Sequence, residues 1–396
     1  MQAVILAAGE GTRLRPFTSN RPKVMLPIGN RPILEHVVES LVANGIKDII
    51  LVVGYKKERI MSFFGDGSKF KAHITYIIQE KQLGTAHAMT YLKGVVKGEF
   101  LVLPGDNIVD QEMVASLLGL EEKNAILVTE SDEPSKYGVV TLHDQYVVSI
   151  QEKPADSVGN IINTGLYLLD AKLMPRFESE VKQGNYGIPD VLRSLLHEVP
   201  IKAVMAKGRW DDAVYPWDLI RLNEIALESR GQELLGMIEP GVNIKGSVSI
   251  GRGTRVRSGT YIEGPVVIGE GCDIGPSVAI LPSTSIGNGV SVDPFTTIKN
   301  SIIGNNVNIG PQSYVHQSVI DDNVRIGAGV MCSAGRASIK IDERYHDVPK
   351  IGCMVGEETE IGSSVVLSSG TVVGAGSRIR DGAKVAGIIE NRSIVI

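Results

Sequence analysis

Excess charge of either sign is missing from this chain, and so are most of the residues that announce covalent or redox chemistry. Lysine and arginine number 40 against 45 aspartates and glutamates, a formal net charge of −5. Nucleic acid and anionic lipid are gripped by net basic surfaces, so neither is expected as a general partner. Cys272, Cys332 and Cys353 are odd in number and widely spaced, which argues against a disulfide framework or a C-x-x-C metal site. No close His-x-His or His/Cys cluster occurs either. No apolar run has the length that a bilayer demands. "MQAVILAAGEG" lacks the basic start and the cleavage site of a secretion signal, so no membrane is expected and the expected location is the cytoplasm.

What is present is 396 residues, 43% of them hydrophobic, enough for two ordinary domains. The boundary is expected near residue 235, giving domains 1–235 and 236–396. The first domain alternates apolar runs with helical patterns: "AVILA", "PILEHVVESLVANG", "DIILVVGY", "ITYII". That rhythm predicts an α/β domain with a Rossmann-like, mostly parallel sheet. A helix is expected from about Arg31, with Pro32 in its first turn and Gly45 beyond its end. The later runs "EFLVLPGD", "AILVTE", "GVVTL", "VVSIQEKP" and "NTGLYLLD" have fewer helices between them, so the sheet is expected to become mixed.

From Ile244 the pattern changes. Ile or Val stands at 244, 250, 256, 262, 268, 274, 280, 286, 292 and 298, then at 303, 309 and 315, and at 320 and 326. It returns at Val355, Ile361, Leu367, Val373, Ile379 and Val385. A six-residue period of this length is a hexapeptide solenoid. Glycines such as Gly251, Gly269 and Gly287 are expected to allow corner turns. The cysteines fall at or near inward positions, as small buried hydrophobes. "AGRASIKIDERYHDVPK", from Ala334 to Lys350, breaks the period and is expected to leave the coil. The pattern resembles the left-handed parallel β-helix family, whose members usually form trimers.

"LAAGEGTRLRPFTSNRPKVMLP", from Leu6 to Pro27, follows the first predicted strand. Gly9 and Gly11 allow backbone N–H groups to approach phosphate oxygens, while Arg13 and Lys23 can neutralise a polyphosphate. A solvated basic loop is the alternative. The stretch matches neither G-x-G-x-x-G nor G-x-x-x-x-G-K-[ST]. With "RPKVMLP", it resembles the signature of the sugar-1-phosphate nucleotidyltransferases. The whole chain is similar to archaeal bifunctional sugar-1-phosphate uridylyltransferase/acetyltransferases.

That resemblance implies UTP or dTTP and a sugar 1-phosphate as substrates, Mg²⁺ as cofactor and a homotrimer or a multiple of it. It implies that Leu6, Ala8, Gly9, Gly11, Gln79, Gly84 and Thr85 bind the nucleotide; Gly84 and Thr85 could instead merely start a helix. Asp106 in "LVLPGDN" would hold magnesium with Asp212 in "WDDAVYPWDL", where Val214 replaces the glycine of the pattern and Asp211 is the neighbouring candidate. Helix capping is the competing role for either aspartate. "YGVV", "QEKP" and "NTGLY" offer Gly138, Glu152, Lys153 and Asn163 to the sugar phosphate, with Pro154 favouring an extended rim. A surface ion pair is the other reading of Glu152 and Lys153.

Acetyl transfer and a non-catalytic scaffold are alternative functions. Bifunctional relatives place a histidine three residues before a tyrosine, as a general base. Here Tyr314 is preceded by Pro311 and Gln312, which cannot accept a proton at neutral pH. Lys299 matches the pattern, Ser333 and Ala334 stand where relatives carry an asparagine, and His316 and His346 are substitute bases. His316 is expected to face solvent or a trimer neighbour.

Overall fold

The apolar run "AVILA" lies at the centre of a sheet because nothing in it tolerates water: Ala3, Val4 and Ile5 are fully buried. In the computed structural model, which describes residues 1–154, 159–228 and 230–396, nine strands build this sheet. They are β1 (Gln2–Ala7), β2 (Asp48–Val53), β3 (His73–Ile78), β4 (Glu99–Pro104), β5 (Ala125–Glu130), β6 (Gly138–His143), β7 (Tyr146–Glu152), β8 (Ile161–Asp170) and β9 (Lys202–Met205). Their order is β3-β2-β1-β4-β8-β5-β9-β7-β6. The first four are parallel. β8 runs antiparallel to β4 and β5, and β6 to β7, so the sheet is mixed as expected. Buried-on-both-faces strands such as "DIILVV" read as continuous apolar runs, the mark of parallel sheets covered by helices.

The chain divides into two units: Met1–Glu10 with Ile33–Asp212, and Gly11–Pro32 with Ala213–Ile396. In the first, the helix Ile33–Ala43 buries Ile33, Leu34, Val37, Val38 and Leu41 along one stripe. It begins later than its sequence suggests. Arg31–Pro32 pairs instead with Pro27–Ile28 in a short antiparallel ladder.

The second unit contains the left-handed β-helix. Its three sheets have nine, nine and eight parallel strands. Neighbouring strands are offset by three hexapeptides, as in Val248↔Val266, until one-residue deletions shorten the coil, as in Ser285↔Ile302. The inward aliphatics and all three cysteines form one buried core. Glycines at the coil boundaries serve a purpose other than the expected freedom of turn. Neither Gly251 nor Gly269 has a positive φ, but a Cβ on either would lie 2.6 Å from backbone of the next coil. Close stacking therefore demands them.

The 334–350 segment leaves the solenoid as a hairpin, Gly335–Ile341 paired with Arg344–Ile351. Asp342 and Glu343 turn it with φ of 49° and 63°, the left-handed pair of a two-residue hairpin loop.

The segment Gly11–Pro32 is anchored within this second unit. Buried Arg21 donates through Nη2 to Asp321 Oδ1 at 2.9 Å and Asp322 Oδ2 at 2.6 Å. Gly29 N donates to Asn223 Oδ1 at 2.8 Å, and Asn20 bonds Glu357. Burial lifts the Asp321 carboxyl to about 7 against the pull of Arg21, with Asp322 adding to the rise. A carboxyl held above its unfolded value contributes stability in acid that is lost as pH climbs toward the folded value. The demand for the guanidinium grows through the same window. Arg21→Met is expected to lose about 3–5 kcal/mol at about pH 8, the cost of orphaning a buried charge, and less at about pH 5. Urea unfolding at both pH values checks this; equal losses would remove the proton linkage.

Candidate active site

Parallel strands end on one side, and the candidate residues of the first unit gather there. Ala8 and Gly9 follow β1, Gly54 follows β2, Gln79 follows β3 and Asp106 follows β4. The loops are tied by main-chain bonds: Gly105 N to Leu6 O at 3.0 Å, Tyr55 N to Ala8 O at 3.1 Å, and Gln79 N to Val53 O at 2.8 Å. A Cβ on Gly9 would meet nothing within 4 Å, and its φ is not in the left-handed region. Neither packing nor conformation requires glycine at that position.

Buried Gln79 directs its Nε2 to Gly84 O at 3.2 Å and His87 Nδ1 at 3.0 Å. Gly84 lies so close to Tyr186 O that no Cβ fits. Thr85 opens the helix Thr85–Thr90, and its Oγ1 accepts from Ile188 N at 2.9 Å. It thereby satisfies the first N–H of the helix Ile188–Leu195, a connection invisible in the local sequence.

Asp106 and Asp212 belong to one hydrogen-bonded network. The short strand Asn107–Val109 pairs antiparallel with Trp210–Asp212, setting Asp212 opposite Asn107. With its amide turned to suit both neighbours, Asn107 donates to Asp106 Oδ1 at 3.2 Å and accepts from Trp210 Nε1 at 3.1 Å. Tyr137 Oη donates to Asp212 Oδ1 at 3.0 Å while its ring packs edge-on to Trp210, centroids 5.1 Å apart. Asp212 is half-buried and Asp211 is buried, which favours Asp212 as a ligand. Asp218, the first residue of the helix Asp218–Glu228, accepts from Val214 N and Tyr215 N at 2.9 and 2.7 Å. Among the described residues no group of three or more His, Cys, Asp or Glu side chains could hold a metal. Two carboxylates fit a hard cation completed by phosphate and water better than they fit tetrahedral zinc.

Gly138, Glu152 and Asn163 converge. β6 and β7 pair Gly138 with Glu152, and a Cβ on Gly138 would stand 2.9 Å from Glu152 Oε2 and 3.7 Å from Asn163 Cβ. The register of β8 shifts after Asn163, as at bulges that re-aim side chains. Asn163 Nδ2 donates to Tyr167 Oη at 2.7 Å, and its Oδ1 accepts from Gly165 N at 2.8 Å. Partial desolvation holds the Glu152 carboxyl above its ordinary range, Lys153 opposing and Asp190 adding.

Lys153 departs from the expected extended rim. It has φ 44°, a left-handed conformation that is strained for a residue preceding proline. Its Nζ lies 3.9 Å from Glu152 Oε1, at the limit of an ion pair.

Gly11, Arg13 and Lys23 fall in the second unit. Gly11 has φ 75° and backs onto Lys23, whose Cβ would lie 2.8 Å from an added Cβ. Arg13 Nε donates to Asp342 Oδ2 at 2.7 Å. Asn107 and Tyr137, which orient the two carboxylates, went unremarked inside motifs that the sequence displays. Asp342 lies 329 residues from Arg13, beyond any local signal.

His316 is half-buried beside inward Val315; its Nε2 is buried with no hydrogen-bond partner among the described residues, while Nδ1 lies 3.3 Å from Tyr314 Oη. Burial, with Lys350 and Lys299 adding, holds the imidazole below its ordinary range. His346 packs on Tyr215, ring centroids 4.4 Å apart.

Residues 2–229 match the nucleotidyl transferase family, and residues 262–375 match the GMPPB C-terminal domain. A Methanococcus maripaludis protein named bifunctional protein GlmU is 35% identical over 414 residues, covering 100% of this chain and 97% of the relative. A bifunctional sugar-1-phosphate nucleotidylyltransferase/acetyltransferase of Sulfurisphaera tokodaii is 33% identical, covering 97% of each. The crystal structure of a candidate glucose-1-phosphate thymidylyltransferase from Bacillus anthracis, in complex with a sucrose, superposes with a TM-score of 0.55 at 29% identity, covering 59% of this chain and 98% of that one. With its signature stretch, its carboxyl-edge loops and these full-length relatives, the chain belongs to the nucleotidyl transferase family.

Proposed function

We propose that this enzyme transfers the nucleotidyl group of UTP or dTTP to a sugar 1-phosphate, glucose 1-phosphate or an N-acetylhexosamine 1-phosphate, and releases pyrophosphate. The product is UDP- or dTDP-glucose or UDP-N-acetylglucosamine. The observation that carries this reading is Gly9. It stands at the carboxyl edge of the sheet, where an added Cβ would meet nothing within 4 Å among the described residues. A ligand approaching the backbone there accounts for the missing side chain.

In the proposed reaction an oxygen of the sugar phosphate attacks the α-phosphorus in line, forming one P–O bond as the bond to pyrophosphate breaks. No protein nucleophile takes part. The backbone from Leu6 through Gly11 faces the triphosphate, while Gln79, Gly84 and Thr85 line the nucleoside. Gly138, Glu152 and Asn163 hold the sugar, and Lys153 meets its phosphate. Arg13 and Lys23 stabilise the charge that shifts onto the leaving group. The family works with a divalent metal. Asp106 and Asp212 would hold magnesium, which when bound offsets phosphate charge.

No helix among the described residues is long and apolar enough to cross a membrane. Self-association as a homotrimer or a multiple of it is supported by one face of the solenoid, where Tyr314, Met331 and Val366 stack in register, the latter two 39% exposed.

A second activity, acetyl transfer to glucosamine 1-phosphate, has one observation in its favour. His316 lies beside Tyr314 and in register with Lys299, and burial holds its imidazole below its ordinary range, which favours the neutral form that a general base needs. Enzyme-dependent thiol release from acetyl-CoA that disappears in His316→Ala is the expected sign; its absence leaves the β-helix an assembly domain.

Arg13→Ala and Lys23→Ala are each expected to cut kcat by about 10²–10³-fold with unchanged melting, as when a transition-state donor is removed. A pyrophosphate-release screen over four triphosphates and several sugar phosphates tests this and identifies the substrates. Uracil and thymine differ by one methyl, worth about 1–3 kcal/mol in an apolar pocket. Asp106→Asn should raise the magnesium concentration needed for half-maximal rate. Tyr137→Phe should do so by a smaller factor, because it orients Asp212 without contacting the ion. Superimposable magnesium titrations would remove both assignments.

A further inference from the structure

The hairpin Gly335–Ile341/Arg344–Ile351 interrupts a solenoid that needs no interruption, and its tip carries one specific contact. Asp342, in the two-residue turn, accepts a 2.7 Å hydrogen bond from the Nε of Arg13. The base of the hairpin is firmly seated. Ile339, Val348 and Ile351 are buried, and His346 packs against Tyr215 and Trp217 with ring centroids 4.4 and 5.8 Å away. The tip is not seated in this way: the Arg13 and Asp342 side chains are 46% and 58% exposed. A carboxylate on a guanidinium makes the same charge-assisted contact as a phosphate oxygen. The adjacent Glu343 is turned to another partner, Lys340 Nζ, at 2.7 Å.

We propose that Asp342 is an internal competitor for the nucleotide. Its carboxylate occupies Arg13 until a triphosphate oxygen displaces it, so the β-helix limits triphosphate affinity through the tip of its own hairpin. This inference rests on the reading of Arg13 as a triphosphate contact. Exposure keeps the competition mild, because water and salt screen an exposed ion pair. The contact tunes affinity and leaves the chemical step alone.

The test uses the full-length protein with the triphosphate found active, measuring its Kd by calorimetry and kcat and KM by pyrophosphate release. Asp342→Asn is expected to lower Kd and KM by about two- to fivefold with kcat unchanged. Glu343→Gln, which removes the same charge one residue away, should change neither. In an Arg13→Ala background, Asp342→Asn should have no effect on Kd. An unchanged Kd in Asp342→Asn, or a raised one with lower kcat, overturns the proposal; the latter would make Asp342 a residue that positions Arg13. A lowered Kd that persists without Arg13, or that Glu343→Gln reproduces, also overturns it by showing a general field effect. Should Arg13→Ala retain full turnover and affinity, the reading of Arg13 itself fails. Should Arg13→Ala lose turnover while Asp342→Asn leaves Kd unmoved, only the competition fails.

Discussion

Four parallel strands impose the constraint on which the first unit depends: their carboxyl ends lie on one edge. β1, β2, β3 and β4 are each paired in parallel with a neighbour, so the residue after each strand emerges beside the residue after the next. Loops at that edge need backbone groups that are not used in the ladder. Gly9, Gly54, Gln79 and Asp106 follow directly. Antiparallel β8 reverses direction beside β4 and brings Asn163, near its start, toward the same edge from a distant part of the sequence. Helices such as Ile33–Ala43 bury apolar surface on such a sheet.

The second unit follows a different rule. Each coil touches only its neighbours, so one residue more or fewer per coil is absorbed locally. The step from an 18-residue offset to a 17-residue one at Ser285↔Ile302 leaves Ile286 stacked on Ile303. The core tolerates the change because both side chains are β-branched and of equal volume. What it does not tolerate is a side chain at the closely stacked boundaries, and that requirement, not turn geometry, places glycine at positions 251 and 269. The buried Arg21 pair then fastens the signature segment to this repetitive frame, with Asp321 and Asp322 supplied by one coil turn.

Periodicity made much of this legible in advance. The six-residue spacing identified one inward aliphatic per hexapeptide, since each position repeats the same environment; the valines two residues before it, such as Val278, Val290 and Val307, share the core and fell outside that series. The apolar runs gave the strands for the same reason. The site was legible only where its residues share a short motif: Gly138 and Glu152 sit opposite each other because a two-residue turn joins their strands, and their motifs were already adjacent in the sequence. Lys153 misled, because its backbone is left-handed despite the following proline, with its N–H donated to Tyr137 O at 3.0 Å. Tyr137 and Asn107 were hidden for a subtler reason. Their contribution is a hydrogen bond to another motif's aspartate, and no spacing records which loops meet. Alternation along the strand sets His316 on the face opposite inward Val315, but it does not say what packs over it. Its neighbours Lys299 and Lys350 come from the preceding coil and from the root of the hairpin.

Insertions cost a solenoid little, and this explains why the exceptional segment could arise there. The coils before and after the hairpin still pair directly, Val319 with Met354 and Cys332 with Leu367. The 334–350 excursion therefore leaves the parallel ladders continuous. A globular core would have had to repack around seventeen additional residues, whereas here only the hairpin's own root needs burial, which Ile339 and Val348 provide. The two-residue turn then fixes the tip within a narrow range, because left-handed backbone at both Asp342 and Glu343 matches the twist of the flanking strands. A rigid frame with a defined tip can hold one carboxylate at a chosen place. That place is beside Arg13, 329 residues away in the chain, and the solenoid's indifference to insertions lets such a contact form while its own ladders stay continuous.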